Sequence, residues 1–243
     1  MILSIITITK NNVLELKHTI KSIQSQKNFN FEIDHIVIDG NSSDGTLEFL
    51  KSKNIRFISE SDKGIYDAFN KGLKIAKGDF ISFLNSGDVY YESTTLFKVF
   101  ENLNFESNVI WFKNEHKRKN KVLRQTIVPE WACKILKIMP PHQATFLNAR
   151  LFKNIFYDID FKIAGDYDFF LKNFNLFKNG KFINLIVVTQ NYGGVSNNGI
   201  NSKLKGNIEA YQSLKKYSKF PKLFLIIKLT YKIYLKCIQI FFY

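Results

Sequence analysis

Over residues 1–90, short apolar runs alternate with stretches of helical spacing, and this alternation restricts the fold more than any other feature of the chain. The strand candidates are 3–9, 33–39, 55–59 and 79–84. Between them, residues 14–26 place Leu16, Ile20 and Ile23 on one helical face, 46–53 form a shorter helix, and 65–77 bury Ile65, Ala68, Phe69, Gly72 and Ala76. Strand, helix and strand in succession require crossover connections, so the class is α/β with a mostly parallel sheet. The first, second and fourth strands run into polar residues: Thr7 to Asn11, Asp39 to Asp44, and Asn85 to Asp88. In an open parallel sheet the carboxyl ends of the strands border one crevice, so loops far apart in sequence can meet on one ligand.

A chain of 243 residues that is 45% hydrophobic and 15% aromatic can bury a large core, enough for one α/β domain with an extension. Cys133 and Cys237 match no metal-ligand spacing and are too few to staple such a fold, which suits a reducing cytosol. Met1 enters the first apolar run with no basic region before it, so the start reads as a strand and not as a secretion signal. The formal net charge of +14 admits nucleic acid, anionic lipid or an acidic substrate as partner.

The middle reads as a helix at 94–103 and a hairpin of 109–113 with 122–128, whose tip, 116–121, is basic. Aromatic residues do not interleave with these charges as a base-stacking platform needs, so no nucleic-acid partner is expected. His18, His35 and His116 fall on a helix, a strand and the hairpin tip, none with a metal-ligand partner at useful spacing. Further on come Pro140-Pro141-His142-Gln143, a strand at 144–147, a helix opening at Asp166, a strand at 182–190 and a turn at Gly193-Gly194. A phosphate-binding Walker loop, a dinucleotide glycine fingerprint and a nucleophile elbow are all absent.

Four strings carry more specific information: SIITITKN at 4–11, IVIDGNSSDGT at 36–46, DKGIYDAFNKG at 62–72 and GDFISFLNSGD at 78–88. In this order they resemble family 2 glycosyltransferases, nearest the branch associated with bacterial capsule, colanic-acid and lipopolysaccharide side-chain synthesis. The resemblance extends over about 2–195. It implies a GT-A fold, Rossmann-like, with a nucleotide-binding half at about 1–90 and an acceptor and catalytic half at about 91–195. It also implies a nucleotide-sugar donor, UDP-sugar foremost, and inversion at the anomeric carbon.

Residue by residue, the resemblance gives Asp39 a nucleotide base to accept hydrogen bonds from, with Thr7 and Thr9 beside it; the bland alternative for Asp39 is a turn cap, and for Asp44 a helix N-cap. Asp62 and Lys63 open a helix whose free N–H groups can face a diphosphate. Asn85-Ser86-Gly87-Asp88 stands where these enzymes carry Asp-Asp or Asp-x-Asp, which leaves Asp88 as the one acid to share Mg²⁺ or Mn²⁺ with the departing diphosphate.

The string IAGDYDFFL at 163–171 resembles the family's Glu-Asp motif with glycine for glutamate. That aligns Asp166 with the general base that deprotonates the acceptor hydroxyl, a role compatible with capping its helix. Asp168 reads as a partner of the helix dipole. His142 and Gln143 match a His-Gln pair near the acceptor or metal.

From residue 203 onward nine lysines face one acid, Glu209. Residues 196–243 read as a basic amphipathic helical extension. Winding 220–243 at ~100° per residue puts Lys222, Lys228, Lys232, Lys236 and Gln239 in one stripe. Lysines recur too often for a bilayer crossing, so an interfacial helix on anionic lipid is expected, against a helix packed on the domain or in a homodimer. The whole then reads as a peripheral protein of the cytoplasmic face of the cell membrane acting on a glycan or lipid-linked acceptor; the rival is a degenerate nucleotide- or sugar-binding module without transferase activity.

Overall fold

The computed structural model describes residues 1–118, 121–152, 154–191 and 199–242, with side chains through Leu235 except those of 191, 199 and 200. The Gly193-Gly194 turn and the side chains of Lys236, Cys237 and Gln239 lie outside this set.

The first half follows the alternation: β1 (Ile2–Thr9), α1 (Val13–Gln24), β2 (Glu32–Asp39), α2 (Thr46–Lys51), β3 (Arg56–Ser59), α3 (Ile65–Ile75) and β4 (Phe80–Phe83). The second half comprises β5 (Asp88–Tyr90), α4 (Thr95–Phe100), β6 (Val109–Arg118), β7 (Lys121–Thr126), α5 (Glu130–Leu136), a 3₁₀ turn (His142–Ala144), β8 (Thr145–Asn148), α6 (Ala149–Phe152), α7 (Gly165–Lys172), α8 (Phe174–Lys178) and β9 (Lys181–Asn191). Two helices close the chain, α9 (Gly199–Tyr217) and α10 (Pro221–Phe242).

One mixed sheet runs in the order β3-β2-β1-β4-β8-β6-β9-β5, with β7 paired to β6. β3, β2, β1 and β4 are parallel, and β8 is antiparallel to β4. The chain leaves β1 in one direction for β2 and β3 and returns on its other side as β4, so the crevice predicted for a strand-order reversal lies at the carboxyl ends of β1 and β4. β1 is buried at six of its eight positions because both its faces are covered. Ile6 packs with Phe69, Leu73 and Phe83 on the α3 side, and Leu3 and Ile5 pack with Phe80 and Phe146 on the other. α3 lies close on β1 because Gly72 has no side chain: a β-carbon there would come within 2.4 Å of Ile6.

Three local expectations are corrected. β6 is a ten-residue strand, longer than the hairpin arm expected, because β9 pairs along it beyond the end of β8. His116 is therefore buried in that strand beside Thr126, and is no exposed tip. The helix expected to open at Asp166 is two short helices, α7 and α8, that meet at Asn173.

Both C-terminal helices fold back on the domain. Ala210 and Leu214 of α9 and Phe224, Leu225, Ile227 and Tyr231 of α10 join the core on the α3 side. The Tyr231 hydroxyl donates to the Ile127 carbonyl at 2.9 Å. The lysine stripe is thereby split: Lys222 and Lys232 are exposed, whereas Lys228 turns inward over the Tyr167 ring, 4.2 Å from its centroid. An ammonium gains more from an aromatic face once both are out of water, which favours this inward rotamer.

Candidate functional site

The crevice is assembled by loops hung on the end of β1. Gly40 N–H, just past β2, donates to the Thr9 carbonyl at 2.9 Å, and Ser86 N–H, just past β4, donates to the Ile8 carbonyl at 3.3 Å. Asp39 is fully buried at the last position of β2. Its carboxylate accepts the Ser59 hydroxyl at 2.6 Å, the Ser42 N–H at 3.2 Å and the Ser42 hydroxyl. Asp62, after β3, closes on the same point, since a β-carbon at Gly40 would sit 2.5 Å from Asp62 Oδ2 and 3.2 Å from Lys10. Asp39 at the end of β2 and Lys10 and Asp62, from the loops after β1 and β3, thus surround one glycine.

Thr9 Oγ1 is buried beside Asp39, its cross-strand partner, with no hydrogen-bond partner. A buried hydroxyl without a partner costs free energy, and a ligand polar group would satisfy it. Thr7 lies deeper, with its hydroxyl 3.0 Å from His35 Nε2 and no exposed surface. Burial pushes the His35 pKa down to about 4, so that imidazole is neutral. Lys63 is exposed, and its N–H donates to Asp67, which closes the first turn of α3. Asp44 ties two helix starts together, accepting Val13 N–H at 2.8 Å and Thr46 N–H at 3.2 Å.

Asp88 opens β5 opposite Gln190 of β9. Burial raises its carboxyl pKa to about 7, against hydrogen bonds from the Gln190 side chain and the Asn85 backbone. The turn before it is held from α1, where Thr19 Oγ1 donates to the Asp88 carbonyl at 2.9 Å and accepts Gly87 N–H at 2.9 Å. Among the described residues no three side chains of metal-binding type gather at one point. Beside Asp88, Asn85 Oδ1 is buried and without a hydrogen-bond partner. One carboxylate and one free amide oxygen are too few for a hard cation, which takes about six oxygens, but suit an ion that draws its other ligands from a diphosphate.

Beyond Phe83 at the end of β4 lies a small cavity of about 20 Å³, lined by Phe83, His142, Tyr157, Asp166 and Phe169 among others. His142 stacks on Phe83, with ring centroids 4.6 Å apart, and its Nε2 lies 2.8 Å from the Tyr157 hydroxyl. Burial lowers the His142 pKa to about 4, while burial and the nearby Asp166 raise that of Tyr157, so a neutral imidazole meets a phenol that keeps its proton. No side-chain contact of Gln143 reaches this pocket.

Asp166 sits one position inside α7 and is not its N-cap, which is Ala164; the carboxylate folds back onto the Tyr167 N–H at 2.8 Å. Burial among aromatic rings raises its pKa, opposed first by that N–H and then by Lys228 and Lys232. Asp168 does not merely face the helix dipole: it is buried and accepts the Ser213 hydroxyl of α9 at 2.8 Å.

Two contacts that sequence reasoning missed place Asp166. Glu209 of α9 accepts the N–H groups of Ile163 and Ala164, each at 2.8 Å, and so fixes the loop that leads into α7. Tyr66 of α3 donates its hydroxyl to the Ile163 carbonyl at 2.8 Å, and its ring fills the space at Gly165, where a β-carbon would come within 2.6 Å. The glutamate absent at 165 has no room here. Glu209 was visible as the one acid among nine lysines of the tail, but its partner lies more than 40 positions away.

The sequence matches the profile of "Glycosyl transferase family 2" over residues 4–171. An uncharacterized glycosyltransferase of Mycobacterium tuberculosis is 34% identical over 177 residues, covering 70% of this chain and 67% of that protein. A PGL/p-HBAD biosynthesis glycosyltransferase of Mycobacterium bovis is 30% identical over 216 residues, covering 80% of this chain and 78% of its own. Among solved structures, S. aureus TarS 1-349 in complex with UDP superposes with a TM-score of 0.66 at 19% identity, covering 86% of this chain and 70% of that one. A mannosyltransferase of Pyrobaculum calidifontis, in complex with GDP-Man and Mn²⁺, gives 0.65 at 13% identity over 93% of this chain and 68% of its own. The mixed sheet flanked by helices is thus the GT-A fold expected, and the profile, which spans both the Asp39 crevice and Asp166, shows that the chain belongs to glycosyltransferase family 2.

Proposed function

We propose that this protein is an inverting glycosyltransferase that moves a sugar from a nucleotide-sugar donor, a UDP-sugar foremost, to a glycan or lipid-linked acceptor in cell-surface polysaccharide synthesis. The observation that carries the reading is the pairing of two unlike compartments at the ends of β1 and β4. One is a polar crevice around Gly40 with an unpartnered Thr9 hydroxyl, and the other an aromatic pocket holding one carboxylate.

In this reading the base sits over Asp39 and Thr9, with Asp62 and Lys63 near the ribose and phosphates and Thr7 bracing β1 from beneath. Asp88, with Asn85 Oδ1, would hold Mg²⁺ or Mn²⁺ against the diphosphate; the bound ion would neutralise charge on the leaving group. Asp166 takes the proton of the acceptor hydroxyl. The acceptor oxygen bonds to the anomeric carbon from one side as the carbon–oxygen bond to the diphosphate breaks on the other, and the bonding pair leaves with the nucleoside diphosphate. A carboxylate with a raised pKa is the stronger base, and burial is the means of raising it. His142, fixed by Tyr157 and Phe83, borders the acceptor side.

Among the described residues no helix is long and apolar enough to cross a membrane. Exposed Leu223, Ile226, Ile233 and Tyr234 share the outer side of α10 with Lys222 and Lys232, which fits a helix lying on an anionic lipid surface. In this reading the enzyme lies peripherally on the cytoplasmic face, where a lipid-linked acceptor would be within reach.

The test is hydrolysis of UDP-, GDP- and dTDP-sugars with and without chelator. One donor class should turn over, and Asp166→Asn should lower the rate by roughly 100-fold or more. Tight nucleotide binding with no turnover of any donor, unaffected by Asp166→Asn, would support the binding module instead.

A further inference from the structure

Gly87 precedes Asp88 in the turn after β4, and its backbone lies at φ +97°, in the region that favours glycine. An acidic side chain at 87 would be strained, so the turn itself carries the one carboxylate of Asp88. The space that a side chain at 87 would enter is filled from another element. A β-carbon there would stand 3.3 Å from Glu15 Oε2 and 3.6 Å from Glu15 Cβ, so the glutamate in the first turn of α1 lies across the glycine.

α1 and this turn are tied together on either side of that contact. Thr19, one helical turn on from Glu15, accepts the Gly87 N–H and donates to the Asp88 carbonyl, each at 2.9 Å. Ser86 Oγ donates to the Asn12 carbonyl at 3.4 Å, where the same helix begins. Two side-chain oxygens of these segments lack donors: among the described residues neither Glu15 Oε2 nor Asn85 Oδ1 has a hydrogen-bond partner, although both are closed off from water. The Glu15 side chain is 40% exposed as a whole, so it is this one oxygen that is sealed in. His18 Nδ1 stands 3.7 Å from it, beyond hydrogen-bond range and an ion pair only when the imidazole carries a second proton. A carboxylate oxygen shut away from water without a donor is unfavourable, and a cation relieves it.

We propose that Glu15 is a further ligand of the divalent cation of the transfer site: delivered by α1, its carboxylate stands where residue 87 has no side chain and adds a second acid to the turn of Asn85 and Asp88. The inference rests on the reading of that turn as the place of the metal and the diphosphate. A hard cation takes oxygen ligands, and its affinity rises with the number of charged ones, so a site short of one carboxylate gains most from a second. The acid is thus supplied by the helix after β1 and not by the strand end that carries Asp88.

The experiment follows Mn²⁺ by electron paramagnetic resonance as it is titrated into the full chain loaded with UDP, and in parallel with GDP and dTDP. Nucleotide affinity in chelator and melting temperature are measured beside it, for wild type, Glu15→Gln, His18→Ala and Asp88→Asn. Glu15→Gln should weaken Mn²⁺ uptake roughly 10-fold. In chelator it should bind the nucleotide at least as tightly as wild type, because a carboxylate without its cation repels a diphosphate. His18→Ala should take up Mn²⁺ as wild type does. Wild-type uptake in Glu15→Gln, or a loss in His18→Ala as deep as in Glu15→Gln, would overturn the assignment. So would a Glu15→Gln variant that melts lower and loses nucleotide affinity equally with and without metal, since Glu15 would then only prop the turn. No Mn²⁺ uptake by wild type with any of the three nucleotides would overturn the metal reading and this inference together, whereas uptake lost in Asp88→Asn and kept in Glu15→Gln overturns the inference alone.

Discussion

At the scale of the residue, this site holds charged groups where water is scarce. Asp88 shows the consequence most directly. Its folded pKa of about 7 lies above the unfolded value of about 3.9, so between those limits the folded state holds the proton more tightly. Stability from this group is therefore lost as pH rises through the window, and the whole cost, at most about 4 kcal/mol, is present above pH 7. Asp88→Asn keeps the polar contact with Gln190 and removes the charge. In metal-free protein it should raise the melting temperature at pH 8, with the gain vanishing near pH 4, while abolishing any response of donor turnover to added metal. A variant no more stable than wild type at pH 8 would mean that Asp88 is solvated. The placing of Thr9, Asp39 and Asp88 was legible in the sequence because each belongs to a motif that spans a strand end, and that of Asp62 and Asp166 because each stands where a helix opens. Tyr66 and Glu209 were not: their roles are set by tertiary packing on Gly165 and on the 162–164 segment, and neither leaves a local pattern.

At the scale of the element, the helix carrying Asp166 depends on α9. Glu209 satisfies N–H groups that would otherwise be buried without acceptors, and losing such an acceptor costs roughly 1–3 kcal/mol for each group. Glu209→Ala should lower the melting temperature and reduce turnover while leaving nucleotide affinity close to wild type, because the crevice proposed for the donor belongs to the first half of the chain. Equilibrium titration of nucleotide beside the kinetics would separate these. The strands and helices of the first half were readable from periodicity, since β1, β2 and α3 are regular and buried on definite faces. The basic hairpin and the tail were not read correctly in detail. Charge alone suggested solvent for His116 and a continuous lysine stripe for α10, whereas pairing of β6 with β9 and packing against Tyr167 decided otherwise.

At the scale of the whole molecule, α10 has two apolar sides. The inner one closes the core and the outer one, with Leu223, Ile226 and Ile233, is exposed beside lysines. Removing residues 220–243 should accordingly do two things at once: release the protein from vesicles containing anionic lipid, and lower its melting temperature by exposing core residues. Replacing only Leu223, Ile226 and Ile233 by serine should weaken vesicle binding, measured by co-sedimentation at low and high salt, with little change in melting temperature. Equal vesicle binding by the triple variant would remove the lipid role from this face. The ring of Tyr66 against Gly165 has a further consequence. An acidic side chain at 165 and an aromatic ring at 66 compete for one volume, so restoring the glutamate in this chain requires a smaller residue at 66 or a ring turned aside.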